Sequence, residues 1–261
     1  MGFGWGIFGA SFATVLAQLI AFLLCLRSLR RLPFVQLTKA DWKTDPAILL
    51  HLCRLGIPTG LQMSMITLGG MVLQSVLNGF GVVFVAGYTA ANKLYGILES
   101  ASVAFGYAMT AYMGQNRGAR IDAGIRAVLA LSAGFTAAIV MAMLLAGKPL
   151  LGLFLSTEEA GAADALAVAH RYLMVLMAFL LALFVLQAYR SSLQGLGEMT
   201  VPTLSGFAEM LMRMGAALVL PAFIGQSGVF FAEGAAWVCA AALNLVWYYM
   251  RIGKIKREMM Q

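Results

Sequence analysis

Polar side chains recur at helical spacing inside two strongly apolar segments of the sequence, residues 55–80 and 82–113. Steps of three and four residues place such side chains on one face of a helix. The segment 82–113 carries Tyr88, Asn92, Tyr95, Glu99 and Ser102, and the segment 55–80 carries Thr67, Gln74 and Asn78. Two adjacent polar faces indicate the wall of an aqueous cavity, or else helix packing through small and hydrogen-bonding residues.

Three ionisable residues within apolar segments could carry chemistry. Glu99 lies near the middle of its segment, where a carboxylate can exchange a proton or a sodium ion for a substrate, or serve as a protonated or paired structural residue. Glu209 and Arg213 are four residues apart, so they can form an ion pair on one helix. We interpret this pair as mutual neutralisation before a role in transport.

The sequence does not favour metal binding or enzymatic catalysis. The histidines and the three cysteines lack the spacing of metal ligands, so we predict neither a metal site nor another cofactor. No HExxH motif, paired aspartates or serine–histidine arrangement is present, which argues against a membrane-embedded enzyme. A polar cavity with one carboxylate fits binding and transport better than catalysis.

The elements that position these side chains follow from composition. Of 261 residues, 61% are hydrophobic and 11% are charged, whereas a soluble domain has roughly 25% charged residues. This excludes a disulfide scaffold, a disordered tail and a soluble enzyme. About 20 apolar residues cross a bilayer as a helix, and the sequence has seven such runs: 5–26, 55–80, 82–113, 128–146, 166–189, 201–224 and 229–250. The fold class is therefore an all-α integral membrane protein with about seven transmembrane helices.

The distribution of charge predicts the orientation of these spans. Most of the 18 Lys and Arg fall in connections on one side, whereas the other side has Lys148 and Arg171 beside acidic residues. Basic connections stay in the cytoplasm and are attracted to anionic lipids. We expect a multi-pass protein of the plasma membrane with a cytoplasmic C-terminus. The net charge of +7 thus indicates the lipid bilayer as partner, and no nucleic acid.

A weak internal repeat bears on domain organisation. Residues 6–10 resemble residues 228–232, an offset of 222, which suggests that the first and last spans are equivalent in two halves of a transporter. We divide the chain into the last helix of a missing N-terminal lobe (1–26), a cytoplasmic linker with a lead-in helix (27–54), a six-helix lobe (55–250) and a basic cytoplasmic tail (251–261). The chain is then a fragment, or a half transporter that forms a homodimer.

Two glycine-containing segments close the third and fifth spans, residues 112–119 and 189–197. Taken singly, each also fits an ordinary helix C-terminus. Their combination in order, with Pro58 opening the second span, resembles the multidrug and toxic compound extrusion (MATE) family. The residues that carry the resemblance are Pro58, Gly114, Gln115, Asn116, Arg190, Gln194 and Gly195. The spans resemble the sixth to twelfth of the family's twelve, so six of them form one lobe of a two-lobe transporter.

The resemblance implies secondary active efflux of drugs and other organic, often cationic compounds in exchange for H⁺ or Na⁺, by rocking of two lobes. Some members carry an acid in the second span, where this sequence has Ser64 and Ile66, and another in the fifth span, where residues 172–190 contain no acid. Coupling therefore falls to Glu99 or to a carboxylate of the missing lobe. A flippase for lipid-linked oligosaccharides is the alternative, although more cavity cations than Lys93 and Arg213 are then expected.

Overall fold

The computed structural model describes residues 6–31, 45–116, 121–155 and 161–259. Regular structure in these residues is helical throughout, which confirms the predicted class. The helices are α1 (Gly6–Leu29), α2 (Pro46–Asn78), α3 (Val82–Gln115), α4 (Ile121–Gly152), α5 (Ala162–Gly195), α6 (Thr200–Ile224) and α7 (Phe231–Met259), with a 3₁₀ turn at Gln226–Phe230 before α7. The predicted lead-in helix and second span form one continuous helix, because Pro58 is accommodated within α2.

Six helices of the described residues are long and apolar enough to cross a membrane, namely α1, α2, α4, α5, α6 and α7. The helix α3 has 34 residues, the same length as α5. It is not among the six candidates, and Asn92, Lys93 and Glu99 interrupt its apolar sequence. The predicted seven spans thus correspond to seven helices, and α3 is the one whose polar face sets it apart.

The chain divides into two compact units, Met1–Leu52 and Cys53–Gln261. The division into a preceding helix, linker, lobe and tail remains a prediction. Several residues on which it depends lie outside the described part: the linker residues 32–44, the basic Arg117 and Arg120, the acidic Glu158 and Glu159, and residues 260–261.

The second unit is organised around α5, which packs against α3, α4 and α7, while α6 packs against α7. In the most apolar stretch of α5, 56% of the residues are buried inside the protein, a larger share than in any other candidate span of the described residues. Its inner side chains, among them Leu173, Leu176 and Phe184, form the main hydrophobic cluster with α3 and α7. Polar side chains on α5 are therefore held in fixed positions by packing on several sides.

The glycines that end α5 have two different roles. Gly197 has a φ of +83°, and the Gly197 and Glu198 N–H groups donate to the Gln194 and Leu193 carbonyls at 2.9 Å, the Schellman arrangement. Gly195 remains helical, and a Cβ there would lie 2.5 Å from the Thr110 carbonyl oxygen. The helix-ending glycine is thus Gly197, while Gly195 permits close approach of α5 to α3.

Candidate functional site

A cavity of about 480 Å³ lies between α2, α3, α5, α6 and α7 of the second unit. Its wall combines apolar side chains from α2 and α5 with aromatic side chains from α3 and α7. Five charged residues also face it: Glu99, Arg190, Glu209, Arg213 and Glu233. Concave sites of this size with a few converging polar groups are the usual form of small-molecule sites.

Four of these charged side chains form an alternating chain of ion pairs. Arg190 Nη2 lies 2.6 Å from Glu209 Oε2, and Glu209 Oε1 lies 3.0 Å from Arg213 Nη2. The same Arg213 Nη2 lies 2.8 Å from Glu233 Oε2. We call these four residues the charge network. Its members alternate in sign, so each charge has an opposite charge beside it.

The charge network joins helices that are distant in sequence. The four-residue spacing on α6 places Glu209 beside Arg213, while Arg190 comes from the end of α5 and Glu233 from the first turn of α7. Arg213 Nη1 also donates to the Ile66 carbonyl of α2 at 2.9 Å. Because buried charges are unfavourable without partners, the network fixes these helices relative to one another.

Glu99 differs from the other cavity carboxylates. Among the described residues it forms no ion pair, whereas Glu209 and Glu233 each have a guanidinium within 3.0 Å. Tyr95, Arg213 and Glu209 lie near enough to Glu99 to affect its charge. The side chain is only partly covered, so its carboxylate is available to a cation that enters the cavity.

Aromatic residues line the same cavity as Glu99. The buried rings of Tyr95 and Trp237 stack on each other with centroids 5.5 Å apart, whereas Tyr107, which also lines the cavity, has an exposed ring. Aromatic faces attract organic cations, which are weakly hydrated and polarisable. The combination of the Glu99 carboxylate and the exposed Tyr107 ring is suited to a cationic ligand.

The polar face predicted for α3 divides between two environments. Asn92, Tyr95 and Glu99 line the cavity. Tyr88 instead accepts a hydrogen bond from the Tyr172 hydroxyl at 3.2 Å, and the two rings stack at 4.4 Å. Ser102 is buried and donates to the Glu99 carbonyl at 2.9 Å. Tyr88 and Ser102 are thus buried among packed helices and do not line this cavity.

The polar face predicted for α2 does not line the cavity. Thr67, Gln74 and Asn78 are exposed on the surface of the chain. Thr67 donates to the Met63 carbonyl at 2.9 Å, and Gln74 donates to Asn78 Oδ1 at 3.0 Å. These local hydrogen bonds satisfy the side chains within one helix. The cavity residues of α2 are instead the apolar Met63 and Ile66.

The residues of the family resemblance connect helices at one end of the second unit. The Pro58 carbonyl accepts from the Thr203 hydroxyl at 3.1 Å, and Gln194 Nε2 donates to Gln62 Oε1 at 3.2 Å.

The other residues of the resemblance lie at the ends of α3 and α5. Asn116 Nδ2 donates to the Tyr112 carbonyl at 3.1 Å, just after α3 ends at Gln115. Gly114 faces the Gly195 carbonyl. Arg190 belongs to the charge network, a role that its position at a span end did not suggest.

Glu233 is a cavity residue that was not predicted from the sequence. It lies within the last predicted span, and an acid inside a span calls for a cationic partner on a neighbouring helix. That signal was sufficient to find it, since Arg213 is a cation inside the adjacent span. Among the residues that the structure describes, no three histidine, cysteine or acidic side chains cluster as a metal site.

A second concave surface lies between α6 and α7 on the outside of the unit. This groove of about 600 Å³ is lined by apolar side chains that include Met212, Leu220, Ala235 and Cys239. It has no charged residue in its lining. It thus lacks the groups that would orient a charged ligand.

Comparison with known proteins identifies relatives of the chain. The family model MatE matches residues 58–219. The probable multidrug resistance protein YpnP of Bacillus subtilis (strain 168) is 31% identical over 97% of this chain and 56% of its own length. The probable multidrug resistance protein YoeA of the same organism is 27% identical, with the same coverage of each chain. This chain thus spans just over half the length of these relatives.

A solved structure shares the fold. It is an outward-facing conformation of a multidrug resistance MATE family transporter of the MOP superfamily, with a TM-score of 0.84 and 22% identity. The similarity covers 97% of this chain and 58% of that chain. At this identity the agreement concerns the arrangement of helices.

Proposed function

The chain belongs to the MatE family of multidrug efflux transporters, a family of transporters and not of enzymes, and on that premise we propose that it serves ion-coupled export of organic cations. The exported compound leaves the cell while a proton or a sodium ion enters. The observation that carries the proposal is the cavity of the second unit, in which Glu99 is a carboxylate without an ion pair among the described residues.

Export of the drug is coupled to entry of the ion if the two bind to Glu99 alternately. A carboxylate in a cavity of low polarity is unfavourable when it is charged and uncompensated, so it takes up a proton, a sodium ion or the cationic centre of a drug. Binding one of these excludes the others. For transport, each ligand must also favour one of two conformations of the protein, and in the family these arise from rocking of two lobes.

The charge network favours a cationic cargo over the lipid-linked oligosaccharide of a flippase. Both arginines of the cavity are already hydrogen-bonded to carboxylates, Arg190 to Glu209 and Arg213 to Glu209 and Glu233. Because these carboxylates already neutralise both guanidiniums, a phosphate group gains less electrostatic stabilisation from them than from unpaired cations. Glu99 would in addition repel it.

The proposal also includes the orientation of the chain in the membrane and the source of its second lobe. The basic connections support an orientation with the linker and the C-terminus in the cytoplasm and the helices in the plasma membrane. Export by alternating access requires two lobes around the cargo path. We assign the second lobe either to an N-terminal lobe like that of the longer relatives or to a second copy of this chain.

Replacing Glu99 by Gln tests the proposed function. The amide retains the size of the side chain but cannot take up a proton or balance a cation, so we expect ion-driven export to fall at least about tenfold, a change of ~1.4 kcal/mol in transition-state stabilisation. The measurement is the accumulation of a fluorescent cationic dye in cells that express the native gene or the variant, with and without an ionophore.

The matched control is Glu198→Gln, which removes a carboxylate just beyond the end of α5 and outside the cavity. This variant should export the dye like the wild type. Export by Glu99→Gln that is unchanged across pH and sodium gradients contradicts a coupling role for Glu99. Dye accumulation that is the same with and without the wild-type gene contradicts the export proposal itself.

A further inference from the structure

The charged side chains of the cavity do not balance. The wall holds three carboxylates, from Glu99, Glu209 and Glu233, but two guanidiniums, from Arg190 and Arg213. When all five are ionised, their net charge is −1. The charge network of two glutamates and two arginines is neutral by itself, so the excess negative charge belongs to Glu99.

We propose that Arg190 and Arg213 determine the specificity of the cavity by limiting its cargo to compounds with a single positive charge. The inference rests on the proposed function, because it specifies the cargo of the same cavity. Without the two arginines, the three carboxylates would attract cations of higher charge. With them, one positive charge makes the cavity and its cargo neutral together.

The surroundings make this charge count effective. Arg190, Glu209 and Arg213 are almost fully buried, with at most 6% of each residue exposed. In a site shielded from water, an uncompensated charge is strongly unfavourable. A dication leaves an excess of one positive charge and a neutral compound an excess of one negative charge, so both should bind less well than a monocation.

The geometry also makes Glu99 the contact for the cargo. Each guanidinium of the network lies within 3.0 Å of a glutamate, so the charges of Glu209 and Glu233 are already balanced and that of Glu99 is not. The exposed ring of Tyr107 lines the same cavity as Glu99. An organic monocation can therefore contact the carboxylate and an aromatic face together.

Gln187 offers a test that leaves every ion pair in place. Its uncharged side chain lines the cavity on α5 and takes part in no ion pair of the charge network, so Gln187→Glu changes the net charge from −1 to −2 with little change in shape. The probes are tetraphenylphosphonium, a bis(triphenylphosphonium) alkane with two charges, and neutral triphenylphosphine oxide. Their equilibrium binding is measured on the purified full chain in detergent.

We expect the wild type to prefer tetraphenylphosphonium over the dication. In Gln187→Glu, the affinity for the dication relative to the monocation should rise about tenfold, which corresponds to ~1.4 kcal/mol, while binding of the neutral probe stays the same. Arg190→Gln, which also gives a net charge of −2 and leaves Glu209 paired with Arg213, should shift the ratio in the same direction. If that variant does not fold, Gln187→Glu alone decides.

The double variant Gln187→Glu/Glu99→Gln restores a net charge of −1 at a new position, and the preference for the monocation should return. An unchanged ratio of dication to monocation affinity in Gln187→Glu overturns the inference. So does the absence of saturable tetraphenylphosphonium binding to the wild type. Selective binding without export by cells instead contradicts the proposed function and leaves this inference standing.

Discussion

Glu209→Gln should lower the free energy of unfolding by about 3–5 kcal/mol, the range measured when one partner of a buried ion pair is removed. Glu209 contacts two arginines, at 2.6 Å and 3.0 Å. After the change, Arg213 keeps Glu233, but Arg190 loses its carboxylate while it remains buried. Thermal unfolding of the purified protein in detergent, followed by its intrinsic fluorescence, measures the loss.

Two further variants make this result specific to the charge network. Glu198→Gln makes the same chemical change outside the network and should unfold like the wild type. Arg190→Gln/Glu209→Gln removes both members of the shortest pair, so it should lose less stability than the two single changes together. An unfolding midpoint for Glu209→Gln equal to that of Glu198→Gln would show that the pair contributes little.

Gly195→Ala should destabilise the protein by about 1–3 kcal/mol, the usual effect of forcing an extra carbon into a well-packed contact. The new Cβ would lie 2.5 Å from the Thr110 carbonyl oxygen and 2.8 Å from the Met113 Cβ. The first of these atoms belongs to the backbone of α3 and cannot rotate away. The helices α3 and α5 must therefore move apart, next to the cavity that both of them line.

Gly134→Ala is the matched control on α4. No atom lies within 4 Å of a Cβ at this exposed helical position, and alanine favours a helix over glycine by about 1 kcal/mol. We expect its unfolding midpoint to equal or exceed that of the wild type. If both glycine variants shift stability in the same direction, close approach at Gly195 is not the cause.

Local spacing in the sequence was sufficient for part of this structure. Apolar runs of about 20 residues predicted the helices, and the four-residue spacing of Glu209 and Arg213 predicted their contact at 3.0 Å. Both features depend on residues of one helix. The helix geometry alone determines them, so no knowledge of the tertiary arrangement is needed.

Contacts between different helices could not be predicted from local spacing in the sequence. Arg190 and Glu233 join Glu209 and Arg213 from α5 and α7, and their partners depend on which faces of the three helices meet. The helix α2 also shows that spacing alone does not predict which side chains are covered. Thr67, Gln74 and Asn78 are exposed, whereas Gln62 is fully buried. Periodicity identifies a polar face but not the helix that covers it.

The glycines show a third case, in which the residue type was informative but its role was ambiguous. Glycine either adopts a positive φ or allows close approach. In the sequence Gly195-Leu196-Gly197, the two roles fall on neighbouring glycines, Gly197 with a φ of +83° and Gly195 against α3. Only the position of Thr110 on the neighbouring helix separates them.

Photolabelling tests most directly the central claim that the Glu99 cavity is the cargo site. The purified full chain is irradiated with a diazirine derivative of a phosphonium monocation, and labelled residues are mapped by mass spectrometry, with excess tetraphenylphosphonium as competitor. We expect competable labels on Glu99 or Tyr107, which line the cavity. Competable labels confined to the apolar groove of α6 and α7, around Met212 and Cys239, would contradict the claim.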